Sequence, residues 1–372
     1  MSVSGTFDLR LHGGKAPPWL VSRMLKLAEG IFQVIYLEFG EIEILRRLSD
    51  PIWFQAVSNV LGYDWDSSGS TTVTSAVLKH VFNKNDLGIR AAGGKGKRSR
   101  STLNEIDQLC EKNYDADPKE LKYASRLVAK VDTSAIQAGY NIYHHMFFFT
   151  RSGKWAVIQQ GMNIDLKSAR RYHWFSGNVK SFVVEPHSGV IGDRVVSNVM
   201  NMVAYESEEA RKVSVEIASE PISNLRKYLS LIEDSKQTTL TSFIDHSFKS
   251  IKHCKIVLEK NINWDALKVA YETKPSNFEQ LLAIQGIGPA TVKALALVSE
   301  IIFDAEVSKR DPIRYSFAFG GKDGVPYPVD RKKMDEAIDL LKFAIEHAKI
   351  GDKNKIVALR RLSIFMDKNF PQ

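Results

Sequence analysis

The sequence predicts an α+β fold, mostly helical, with a small antiparallel sheet in the middle and a C-terminal helical region that contains a helix-hairpin-helix. Three observations carry that expectation. Apolar residues recur at helical spacing from Trp19 to Ile35. Tyr140–Thr150 and Lys154–Gln160 flank Arg151-Ser-Gly153, the pattern of a β-hairpin. Gln285-Gly-Ile-Gly-Pro289 parts two helical stretches with two glycines and a helix-opening proline.

In order along the chain, Pro17-Pro18 opens a first helix that Gly40 ends. Short helices follow at Glu41–Leu48 and Pro51–Leu61, then a turn-rich break and a helix over 71–83. Residues 88–100 read as a basic, glycine-rich loop, with Arg90, Lys95, Lys97, Arg98 and Arg100 and no acid. Thr102 with Glu105 predicts a capping box, and Pro118 a helix running to Asp132. Phe182–Glu185 is a third strand beside the hairpin, and residues 195–234 are helical. Residues 235–261 connect an N-terminal domain, 1–234, to a helical domain, 262–372. That second domain holds a long Gly- and Pro-rich loop, Lys309–Asp330, before two last helices near 331–349 and 353–367.

Composition narrows the class. The 372 residues are 44% hydrophobic and 25% charged, as in ordinary globular proteins. The formal charge of +8 suits a polyanionic partner. Two distant cysteines, Cys110 and Cys254, give neither a disulfide framework nor a cysteine zinc site. No apolar run is long enough to span a membrane and the N-terminus lacks a signal-peptide pattern, so the cytoplasm is expected by elimination.

The sharpest functional signal is the glycine turn. Gly286, Ile287 and Gly288 expose backbone N–H groups at a helix N-terminus, where a phosphate oxygen binds without reading a base. DNA is therefore the expected partner. Lys95, Lys97 and Arg98 are expected to add phosphate contacts. Arg170 and Arg171, in the basic aromatic run Ala169–Trp174, suit an extruded nucleotide. His144, His145, His173, Glu185 and His187 lie on or near the strands and are of types that would suit a zinc or manganese site, but their spacing is not diagnostic of one. No cofactor is expected.

Two resemblances sharpen this. Gln285–Pro289 followed by Pro328-Val-Asp330 resembles the helix-hairpin-helix base-excision glycosylases, whose Pro-Val-Asp-like segment supplies a catalytic aspartate. Bifunctional members carry a catalytic lysine two residues after the second hairpin glycine, where this chain has Ala290.

The other resemblance spans nearly the whole chain. Leu11–Leu20, Asp50–Gln55, Ala92–Lys97, Ser125–Asp132, Gln159–Met162, Ala169–Trp174, Gly320–Gly324 and Pro326–Arg331 resemble the domain-of-unknown-function family seven-six-three of archaea and thermophilic bacteria. It implies an abasic-site lyase in DNA repair. In that chemistry a neutral lysine attacks C1′ of the opened sugar, and a carboxylate or histidine then removes a C2′ proton. Lys322 is the first expected nucleophile, with Lys130 and Lys15 behind it, and Asp330 and Asp132 are the expected bases. The competing expectations are a metal-dependent nuclease and a DNA-binding protein without catalysis.

Overall fold

The computed structural model describes residues 17–63, 68–111, 115–192, 194–237, 261–313, 315–316 and 331–369. A six-stranded sheet stands between two layers of helices. Its order is β1 (Ile89–Lys95), β3 (Asn141–Thr150), β4 (Trp155–Asn163), β5 (Ser168–Phe175), β6 (Gly189–Gly192) and β8 (Tyr315–Ser316). Pairing is antiparallel except between β6 and β8. A second ladder joins β2 (Ile136–Gln137) to β7 (Met200–Asn201).

Side chains alternate across the sheet, so each strand feeds two cores. Met146 and Phe148 of β3 join α1 (Pro18–Leu48), α2 (Pro51–Leu61), α3 (Ser68–Lys84), α12 (Arg331–His347) and α13 (Asp352–Asn369). Phe147 and Phe149 face the other way. They share a second core with α5 (Thr102–Cys110), α6 (Pro118–Lys130), α7 (Glu208–Ala218), α8 (Ile222–Gln237), α9 (Trp264–Thr273), α10 (Phe278–Ala283) and α11 (Pro289–Ile302). The connecting region expected at 235–261 does not separate these cores. One core runs from Ala92 to Ile313, and the other from Met24 to Phe365. Residues 238–260 themselves lie outside the described residues.

Several local expectations change. Residues 89–95 are not a loop but strand β1, followed by the short α4 (Lys97–Arg100). Gly93 is there for close approach: a Cβ on it would run into the carbonyl oxygen of His145. Ser101, not Thr102, precedes α5, and no side-chain cap forms there. Glu105 instead accepts from Lys79 Nζ and from Gly93 N–H. The third strand beside the hairpin is Ser168–Phe175, whereas Phe182–Glu185 forms turns. Helix begins at Glu208 rather than 195, because 195–207 is spent on β7 and a 3-10 turn. Gly40, with φ 78° and ψ 175°, breaks α1 where the sequence ends the first helix. No helix of the described residues is long and apolar enough to cross a membrane.

Candidate nucleic-acid interface and active site

α10 and α11 meet at a tight turn. Ile287 N–H donates to Ile284 O (3.2 Å) and buries its side chain to 1% exposure, anchoring the loop. Gly286 takes φ +90°, which favours glycine, and a Cβ there would lie 2.7 Å from Asn263 Nδ2. Gly288 is extended (φ −128°, ψ −171°), and a Cβ on it would meet only Gly286 O, at 3.9 Å. Pro289 then opens α11. The first-turn N–H groups of a helix lack intrahelical acceptors and lie at its positive end, which suits an anion. Ile287, expected among the DNA contacts, is thus corrected to an anchor. Gly286 and Pro289 are exposed, with Gly288 partly so.

Lys130 reaches this turn from behind. Its Nζ donates to Leu282 O at 2.7 Å and also to Ile284 O, the carbonyls that end α10. Half-burial, with Arg126 nearby, brings the amine down to a pKa of about 8, so an appreciable fraction is neutral near physiological pH. Gln137 adds a second tie, donating from Nε2 to Pro289 O at 2.8 Å.

Past Lys130 the helix widens into a π-turn, Val131–Ala135, and sends Asp132 into the core. Asp132 is fully buried and accepts three hydrogen bonds: from His187 Nε2 (2.6 Å), Trp174 Nε1 (3.0 Å) and Gln159 Nε2 (2.5 Å). Gln159 Oε1 in turn accepts from His145 Nδ1 (2.7 Å), and His145 Nε2 accepts from Ser125 Oγ (2.9 Å). Each link fixes the next, so the carboxylate is held rigidly.

His187 is the end of this network that meets open space. Its ring stands edge-on to Trp174, with centroids 4.5 Å apart. It lines a cavity of about 90 Å³ together with Glu185, Asn201, Arg310 and Asp311. With Nε2–H given to Asp132, the lone pair sits on Nδ1. Nδ1 makes no hydrogen bond among the described residues. Glu185, two residues earlier, takes φ +38° immediately before Pro186, a strained backbone. Its N–H to Val203 O (2.8 Å) and its ion pair with Arg310 hold it there.

Arg170 and Arg171 are corrected. Both are fully buried on β5 and present nothing to a polyanion. Arg170 pairs with Asp311 at 2.6 Å and lies 4.3 Å over the Tyr140 ring. Arg171 points to the opposite core, where Nη1 donates to Gln55 Oε1 (3.2 Å) and the guanidinium lies 4.8 Å over Phe54. Alternation along a doubly covered strand sends the two neighbours to opposite faces. Lys95, Lys97 and Arg98 are exposed at the end of β1 and on α4. Lys15, Lys322 and Asp330 lie outside the described residues.

Among the described residues no group of three or more His, Cys, Asp or Glu is placed to hold a metal ion. His144 and His173 are instead buried in the sheet, and His173 Nδ1 donates to Leu48 O at 3.0 Å. The Asp132–His187 pairing escapes a sequence reading because 55 residues separate the partners. The two sit in different local patterns that share no spacing rule.

A family model described as "Protein of unknown function (DUF763)" matches residues 5–329. The chain belongs to that family. No curated protein matches this chain, nor does any solved structure.

Proposed function

We propose that this DUF763 protein binds DNA through the Gly286–Pro289 turn and cuts it at abasic sites as an amine lyase. The observation that carries the reading is Lys130 Nζ, an amine with a pKa of about 8, seated on the carbonyls of that same turn. Neutral amine is the form that attacks an aldehyde.

Nζ adds to C1′ of the ring-opened sugar, and water leaves to give the iminium. That cation acidifies C2′. His187 Nδ1 takes the C2′ proton, and the electron pair forms the C2′–C3′ double bond as the 3′ phosphate departs. Water then hydrolyses the iminium and frees Lys130. Asp132 positions the imidazole and stabilises it once it is protonated. The sequence-based candidate Lys322 competes with Lys130 for the role of nucleophile. On this reading the protein acts in the cytoplasm, on its DNA.

Borohydride reduction on an abasic duplex tests it. The parent should be trapped as a covalent adduct that a peptide map places on Lys130, and Lys130→Ala should lose the adduct. No adduct in the parent protein overturns the lyase reading. An adduct mapped to Lys322, and lost in Lys322→Ala, moves the nucleophile and overturns the role of Lys130.

A further inference from the structure

A second basic surface lies on the far layer of helices, in a groove of about 570 Å³ between α1 and the turn joining α12 to α13. Gly30 makes the groove. A Cβ on it would lie 2.5 Å from Ile350 Cγ2, so only glycine lets that turn settle against α1. The walls carry Arg23, Lys26, Lys349, Lys353 and Arg361 against a single carboxylate, Glu29.

The first four cations are exposed, and none of the five has an ion-pair partner among the described residues. Uncompensated charge concentrated in a concavity attracts a polyanion. One aromatic ring stands beside it. The Arg23 guanidinium lies 5.6 Å from the ring centroid of Trp19, which is 61% exposed. An open indole beside a row of cations is the pairing that holds single strands, since bases stack on the ring while phosphates meet the charges.

We propose that this groove binds single-stranded nucleic acid. None of its side chains takes part in the turn at Gly286 or in the Asp132–His187 pair, so it stands apart from the lyase reading.

The test is fluorescence anisotropy of a labelled 20-nucleotide oligo-dT and a labelled duplex over a range of salt concentrations. The triple variant Lys26→Glu, Lys349→Glu, Lys353→Glu alters only exposed side chains, and its thermal melting checks that it folds. It should bind oligo-dT at least about tenfold more weakly. Its plot of log affinity against log salt should be shallower by about 2, from roughly 0.7 for each phosphate that is no longer neutralised. Trp19→Ala should weaken oligo-dT binding about fivefold or more while leaving the salt slope and the duplex affinity unchanged.

A folded triple variant with the parent's affinity and slope overturns the proposal. So does displacement of oligo-dT by polyglutamate at equal charge, which would mean that the groove takes any polyanion. Gly286→Val in the same assay separates the two surfaces: it should lower duplex affinity and spare oligo-dT.

Discussion

Nε2 of His187 donates a 2.6 Å hydrogen bond to Oδ1 of Asp132, whose other oxygen is already held by Trp174 and Gln159. The imidazole is thereby locked in one orientation at the edge of a cavity. In the proposed lyase reaction this pair acts after the covalent step. His187→Ala should therefore still give a borohydride-trapped adduct, while single-turnover strand scission falls about 10²-fold or more. Loss of trapping and scission together would deny His187 its separate role.

Asp132→Asn should cost stability as well as rate. The amide has one acceptor oxygen where three donors converge, and its own N–H₂ turns against one of them. A loss of about 3 kcal/mol in urea denaturation is expected. A variant as stable as the parent would show that the three hydrogen bonds contribute little.

The two glycines of the turn should separate fold from binding. Gly286→Val strains a positive φ and strikes Asn263, so both melting temperature and duplex affinity should drop. Gly288→Val meets only open space on an extended backbone, so stability should move by no more than about 0.5 kcal/mol. Its side chain nevertheless sits where a phosphate would approach, and affinity should fall about tenfold. Unchanged binding in Gly288→Val would make the turn a mere corner.

Acid should unfold the protein in a defined window. Burial drives the His144 pKa from 6.5 down to about 3 and the His173 pKa well below 6.5. The unfolded chain binds these protons near pH 6.5 and the folded chain refuses them, so stability present above pH 6.5 is lost as pH falls. Each histidine contributes a slope of about 1.4 kcal/mol per pH unit, and that of His144 persists down to about pH 3. Urea midpoints from about pH 7.5 to about pH 4.5 sample the upper part of this window. His144→Gln should flatten the curve, and an unaltered slope would contradict the assignment.

Arg170 offers a contrast with the surface cations. Arg170→Met leaves Asp311 buried without its partner, which should cost about 3–5 kcal/mol. Adding Asp311→Asn should return part of that loss in a double-mutant cycle. Neither change should alter the salt slope of DNA binding, whereas Lys26→Glu should.

How much of this can be read in the sequence follows from the range of each interaction. The hairpin strands and the α10–α11 turn rest on nearest-neighbour chemistry, such as Gly153 at its turn and Gly286 at φ +90°, and both are legible. Arg170-Arg171 and Gly93-Gly94 mislead because their surroundings are distant in sequence. A strand covered on both faces needs no apolar-polar alternation, so buried arginines resemble exposed ones. Gly93 looks like a loop glycine until β3 lies across from it. The Asp132–His187 pair and the α1 groove depend on pairings between remote segments, which no local pattern encodes.

The placement of α12 and α13 has a consequence for synthesis. These last helices complete the core that α1 and α2 begin, through Leu341, Ile345 and Leu362. While the ribosome is making the intervening residues, the faces of α1 and α2 that α12 and α13 cover stand unsheltered. The nascent chain must therefore carry that hydrophobic surface until α12 and α13 are made, and a product stalled before them would be a natural client for chaperones and proteases.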